Sequence, residues 1–174
     1  MENTELIILG IKVGDWVQIG ALLLAVIGLY YNTKEQKKTN FQERIKIVSN
    51  TINKIYHDKE LSQMLYKVMS SNSSNPFIYT DDFHGSKDEI ILDKLLFELD
   101  FLAKQYYGKI LNIEDFSIIR EMYLDINNNK EIQKYFNYLD TYYNSLNKTN
   151  EFSLSFRKIS KEFSNLSSTE KKKL

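Results

Sequence analysis

The chain of 174 residues has no cysteine, only one proline and only six glycines. The absence of cysteine excludes disulfide bonds, thiolate zinc sites and cysteine nucleophiles. So little proline and glycine argues against an all-β fold, which needs many tight turns. The 23 basic side chains balance the 23 acidic ones, so the formal net charge is zero. This balance argues against a dedicated nucleic-acid-binding protein, whose mark is a net basic face.

The longest apolar run covers residues 16–31, WVQIGALLLAVIGLYY, and is interrupted only by Gln18. As a helix this run is about 24 Å long, and extension back through residues 6–13 lets it cross a ~30 Å hydrocarbon core with tilt. No basic segment precedes the run and no small-residue cleavage site follows it, which argues against a cleaved signal peptide. The sequence therefore predicts a single N-terminal transmembrane helix.

The basic residues around this run predict an orientation. Only Lys12 lies before it, and those that follow within about fifteen positions are Lys34, Lys37, Lys38, Arg44 and Lys46. The positive-inside rule then places the N-terminus outside and the C-terminal part in the cytoplasm, as a single-pass protein of the cell inner membrane. In that arrangement Lys34, Lys37 and Lys38 are expected to contact anionic lipids next to the membrane.

Small and polar residues recur within the run at helical spacing. They follow one another by four and three positions: Gly14, Gln18, Ala21, Ala25 and Gly28. Small residues at this spacing let helices in lipid approach closely. Because a single span has no partner helix in its own chain, this stripe predicts a homo-oligomer that uses it as a pore or self-association seam. The alternative is that glycine and alanine are simply common in membrane helices.

The rest of the chain shows helical periodicity, which predicts an all-α fold with a cytosolic bundle of about five helices. A Ser/Asn-rich loop with the only proline covers residues 70–86, and Ser86 with Glu89 forms a capping box after it. The predicted domains are residues 1–32 (N-terminal segment and transmembrane helix), 33–166 (cytosolic helical domain) and 167–174 (a disordered basic tail). The predicted helices cover residues 34–56, a segment that Asp58 caps, 86–108, 113–126, 130–146 and 150–166.

Few residues suggest catalysis. A group of acids with one histidine lies near the loop: Asp81, Asp82, His84, Asp88 and Glu89. Such a set can bind a divalent metal, but acids before a helix also arise from capping and the helix dipole alone, and we favour a solvated acidic loop. We therefore predict no catalytic residue, no metal and no cofactor, and a protein that is not an enzyme.

The chain resembles the small membrane accessory proteins of type VI-B CRISPR systems in the order of its parts. These parts are an N-terminal span at residues 16–31, a long following helix and a compact helical domain. Those proteins are divergent members of the HEPN group. The Arg–His spacing of HEPN ribonucleases is absent here, because the nearest histidine after Arg44 is His57. The resemblance implies an oligomeric pore that depolarises the inner membrane in anti-phage defence, downstream of an RNA-guided nuclease and without direct nucleic-acid binding.

Two other functions stay open at this point. In the first, the span only tethers a helical signalling or scaffold protein to the membrane. In the second, the chain is a HEPN-like RNA-cleaving toxin with an unusual site built from Arg44, His57 or His84.

Overall fold

A computed structural model describes the backbone of residues 7–8, 11–70 and 76–170, and the side chains of residues 22, 24–70 and 76–166. The chain divides into two compact units, Met1–Glu43 and Arg44–Leu174. Each unit is described by itself below. The predicted domain boundary after residue 32 falls inside the first helix.

The first unit contains a short hairpin and the beginning of a long helix. Strands β1 (Ile7–Ile8) and β2 (Ile11–Lys12) pair antiparallel, with Ile7 opposite Lys12. The expected backward extension of a helix over residues 6–13 is therefore wrong at these strands, where β-branched isoleucines favour extended backbone. Helix α1 (Val13–His57) follows directly and is continuous over 45 residues. It continues past residue 32 because no glycine or proline occurs between residues 29 and 57.

The predicted N-terminal transmembrane helix is wrong. Within the described ranges, none of the helices offers the apolar length that crossing a bilayer takes. The apolar run ends at Tyr31, and charged residues begin at Lys34 of the same helix. The all-α class itself is confirmed, since helices form nearly all of the described structure.

The second unit contains the end of α1 and five further helices. They are α2 (Lys59–Met69), α3 (Lys87–Tyr107), α4 (Arg120–Asn128), α5 (Lys130–Ser145) and α6 (Leu154–Glu170). Single 3₁₀ turns lie at Asp81–Phe83 and Ile113–Phe116. The side chains of Asp58, Ser86 and Asn129 accept backbone N–H groups at the starts of α2, α3 and α5, so each is an N-cap.

Helix α3 lies at the centre of the core. It packs against α2 and α6, and α4 packs against α2, α5 and α6. The side chains of α3 that are completely buried are Leu92, Leu95, Leu96, Leu99, Leu102 and Ala103. Tyr123 of α4 is also buried and donates its hydroxyl to the Leu99 carbonyl at 2.6 Å, which gives its polar end a partner inside the core.

Two predicted helices differ from the observed ones. The helix expected over residues 113–126 is interrupted after Phe116, where the Asp115 carboxylate turns back to accept Asn112 N–H at 2.8 Å and the Arg44 guanidinium at 2.7 Å. The helix expected from residue 150 begins at Leu154, because the Asn150 side chain accepts Phe152 N–H and the backbone reverses at Ser153, with φ of 53°. Helix α6 then continues to Glu170, into the part predicted to be a disordered tail.

Candidate functional site

The first candidate site is the apolar segment of α1, which we define as residues 22–31. All the large apolar side chains that the structure describes there are at least half exposed. Their exposed fractions are 67% for Leu22, 71% for Leu24, 56% for Val26, 50% for Ile27, 66% for Leu29, 65% for Tyr30 and 61% for Tyr31. The segment contains no charged residue. It is therefore a concentrated apolar surface rather than a set of isolated exposed side chains.

This apolar surface extends around the whole helix. At about 100° per residue, the large side chains cover more than half of the circumference, and Ala25 and Gly28 lie on the remainder. Both are exposed, and a Cβ atom added at Gly28 would meet no atom within 4 Å. A helix that is apolar on all sides is normally covered on all sides, so one neighbouring helix would leave part of this surface in water.

The seam predicted from the sequence is only partly within the described residues. Ala25 and Gly28 lie on one face of α1, whereas the side chains of Gly14, Gln18 and Ala21 lie outside the described residues. The seam therefore stays a prediction.

The three lysines that follow the apolar segment are fully within the described residues. Lys34, Lys37 and Lys38 are all exposed on α1. Their predicted contact with lipid stays a prediction as well.

The second candidate site is a polar cluster around His84 in the second unit, where the loop before α3 meets α3 and α5. The Tyr79 hydroxyl lies 2.6 Å from His84 Nε2, and His84 Nδ1 lies 3.1 Å from Glu89 Oε1. The other Glu89 oxygen accepts Gly85 N–H at 2.6 Å. Gly85 has φ of 74°, a conformation that favours glycine. Buried Phe83 anchors the loop beside this network.

Two residues of α3 and α5 extend the cluster inward. The buried Tyr135 hydroxyl donates to Asp93 Oδ1 at 2.7 Å and lies 3.3 Å from Glu89 Oε1. Burial raises the pKa of Asp93; the negative charge of Glu89 adds to that rise, and the hydrogen bond from Tyr135 opposes it. Burial is also the first cause of the raised pKa of Tyr135, followed by its hydrogen bond to Asp93. A neutral phenol and a carboxylate that resists ionisation therefore lie side by side.

The hydrogen bonds at His84 hold its ring from two sides. Burial, and then the charges of Tyr138, Asp81 and Glu89, raise the pKa of Tyr79, so its hydroxyl keeps its proton. The Tyr79 hydroxyl and the Glu89 carboxylate each hydrogen-bond one ring nitrogen of His84 and so orient the imidazole.

Stacked aromatic rings lie on the exposed side of this cluster. The His84 and Tyr138 rings are stacked, with centroids 3.7 Å apart. The next ring along α5, Tyr142, is stacked with Tyr138 at a centroid distance of 6.2 Å and an interplanar angle of 12°. Tyr138 is 38% exposed and Tyr142 is 49% exposed. We call Tyr138 and Tyr142 the tyrosine pair.

The acids near this loop are not gathered around a metal position. His84 and Glu89 bind each other, and Asp88 accepts Lys67 Nζ at 3.1 Å. In the described parts of the chain, no three histidine, aspartate or glutamate side chains form a group that could hold a metal ion.

The residues considered for RNA cleavage are also separated. Arg44 and His57 lie thirteen positions apart on α1, about 20 Å along the axis. Arg44 binds Asp115, and His57 Nδ1 lies 2.9 Å from the Asn53 carbonyl oxygen of its own helix. His84 belongs to the cluster described above. Arg44 and His57 are thus too far apart to act on one phosphodiester.

Sequence reasoning missed most of the His84 cluster. Among its members, only His84 and Glu89 were considered, as part of the acidic loop. The spacing of Tyr138 and Tyr142, four positions apart on one helix, was a visible signal for the tyrosine pair. No sequence signal indicated that Asp93 and Tyr135 would meet Glu89, because those contacts join α3 to α5.

The chain was also compared with known proteins. It matches no family model, and neither the curated proteins nor the solved structures gave a match.

Proposed function

We propose that this chain is a self-assembling helical protein whose copies associate through the apolar segment of α1. The single observation behind the proposal is the exposure of seven large apolar side chains within ten consecutive residues. Soluble monomers rarely leave a contiguous apolar surface of this size uncovered.

The exposed area is large enough for an interface. At the exposed fractions above, the five aliphatic and two tyrosine side chains offer roughly 700 Å² per copy. A standard protein–protein interface buries about 800 Å² on each partner. Complete burial of these side chains contributes about 18 kcal/mol per copy at ~25 cal/mol per Å², which exceeds the cost of about 4–15 kcal/mol for bringing two molecules together.

The chemistry of the segment favours further copies of this chain as the partner. With no charged residue between residues 22 and 31, the surface offers nothing for electrostatic selection of a different protein. Identical apolar helices can cover one another symmetrically, which is the usual form of soluble oligomers. Because the apolar surface surrounds the helix, we expect more than two copies.

An assembled helical protein of this kind fits a scaffold or signalling role, with the second unit available for other contacts. A role in phage defence downstream of an RNA-guided nuclease stays a prediction from the resemblance. Pore formation is not proposed, because it depended on the transmembrane helix that the structure overturns.

The mass of the particle in solution tests the proposal. In analytical ultracentrifugation, we expect the wild-type chain to sediment well above its monomer mass of 20.6 kDa and to dissociate on dilution. The double substitution Leu24→Ser and Leu29→Ser removes about 3–6 kcal/mol of apolar burial per copy, so association should weaken at least about a hundredfold. The matched control is Ile118→Ser, at a residue that is 76% exposed in the second unit.

Three results would contradict the proposal. One is a wild-type particle of 20.6 kDa at every concentration. Another is a double variant that assembles as the wild type does. The third is a monomeric chain that floats with phosphatidylcholine vesicles and loses this behaviour in the double variant, since lipid would then cover the segment instead of other copies.

A further inference from the structure

The tyrosine pair presents two nearly parallel aromatic rings on the surface of α5. Four residues of helix rise by about 6 Å, so side chains at this interval can hold their rings in parallel planes. The observed centroid distance is 6.2 Å and the planes differ by 12°. Both rings are partly exposed, so a planar group can stack on this pair from the solvent side.

One ring of the pair is already held in place. The His84 ring covers one face of Tyr138, and the hydrogen bonds to Tyr79 and Glu89 fix His84 from two sides. Tyr142 is the more exposed ring and has an edge contact with Tyr143. The pair thus combines one ring that is held by hydrogen-bonded His84 with one ring that is more open to solvent.

The surroundings of the tyrosine pair are acidic. Asp81 and Glu89 lie close enough to Tyr79 to raise its pKa, as does Tyr138 itself. Glu131 accepts the backbone N–H of Tyr79 at 3.0 Å and pairs with Lys134 at 2.7 Å. Three carboxylates and one lysine therefore surround the neighbourhood of Tyr79 and Tyr138, which favours a cation and disfavours a phosphate-bearing ligand.

We propose that Tyr138 and Tyr142 form a stacking site for the guanidinium group of an arginine in a basic partner peptide. The guanidinium group is planar, always charged and weakly hydrated, so it stacks on aromatic faces while keeping its N–H groups for carboxylates. An ammonium group has the charge without the flat shape. A nucleotide has a flat base, but the carboxylates around Tyr79 would repel its phosphate.

A peptide-observed NMR experiment on the full chain tests this site. The probe is a short peptide of alternating glycine and arginine, and the readout is saturation transfer from protein aromatic protons to the arginine δ-methylene protons, with the upfield shift of the latter. We expect Tyr142→Leu to weaken binding about threefold to tenfold and Tyr142→Phe to retain it. The matched control is Tyr66→Leu, at a tyrosine of α2 that is 65% exposed.

The same peptide with citrulline in place of arginine separates charge from shape, and oligothymidylate tests a nucleic-acid partner. Loss of binding with citrulline and no transfer to oligothymidylate support the proposal. Equal binding of the citrulline peptide, transfer to oligothymidylate, or unchanged affinity in Tyr142→Leu would each overturn it.

Discussion

Asp100 illustrates how one buried side chain can join two distant parts of the chain. It lies on α3, is only 3% exposed and accepts Phe156 N–H of α6 at 2.8 Å through Oδ1. Its other oxygen lies 3.0 Å from the Nζ atom of Lys104, which is one turn later on α3. The carboxylate thus caps the first turn of a helix that begins 54 positions later at Leu154.

Replacement of Asp100 by alanine should lower the free energy of unfolding by about 2–3 kcal/mol, because it leaves a buried N–H without a partner and removes a helix cap. The measurement is urea denaturation followed by circular dichroism. Lys104→Ala is the control, since it removes only the exposed half of the ion pair and should cost less than about 1 kcal/mol. Equal effects of the two substitutions would show that the ion pair, not the cap, stabilises α6.

A second prediction for a single residue concerns Asp93 and the way in which the stability of the fold depends on pH. Its pKa is raised in the folded chain, first by burial. The folded state then binds the proton more tightly than the unfolded state, so stability falls as pH rises above the unfolded value of about 3.9 and through the folded pKa. Asp93→Asn removes this penalty and keeps an oxygen that can accept the Tyr135 hydroxyl. We expect it to be more stable than wild type at pH 7, with an advantage that shrinks towards pH 4.

Thermal unfolding of wild type and Asp93→Asn between pH 4 and pH 8 checks this sign. Asp82→Asn, at an exposed acid of the nearby loop, is the control and should follow the wild-type profile. An Asp93→Asn variant that is less stable than wild type at pH 7 would mean that the ionised carboxylate is the favoured partner of Tyr135.

At the scale of elements, local signals in the sequence predicted where most helices begin and end. Asp58, Ser86 and Gly108 mark observed boundaries of α2 and α3, because capping depends on residues next to each other in the chain. The break after Phe116 was not predictable in this way, since it depends on Arg44 of α1 reaching Asp115. The same limit applies to the His84 cluster, whose hydrogen bonds join α3 to α5.

Gly28 offers a prediction for α1. It lies inside the helix with open space where a side chain would begin, so Gly28→Ala should stabilise the helix locally by roughly 0.5–1 kcal/mol. Slower amide hydrogen exchange near residue 28 is the expected result. Unchanged or faster exchange would contradict this prediction. Gly28→Leu tests separately whether copies approach closely at this face, since it should then weaken assembly in the ultracentrifuge.

At the scale of the whole molecule, the error in the predicted fold is the transmembrane helix, because no helix of the described residues has the apolar length that a bilayer takes. Hydropathy identified the apolar stretch correctly, and its exposed side chains remain its main feature. Hydropathy alone could not show that the helix continues through charged residues as far as His57. The composition of an apolar run does not mark the residue at which a helix ends. Glycine and proline interrupt helices, and neither occurs between Gly28 and Asp58.

The cap on α6 also has a consequence for chain synthesis. Until residue 156 has been made, the Asp100 carboxylate lacks the backbone N–H that it accepts in the folded chain. A premature stop codon before α6 would remove that partner and the three buried hydrophobic side chains of α6, Phe156, Ile159 and Phe163, together. Such a truncated product should be degraded rather than accumulate as a shorter functional form.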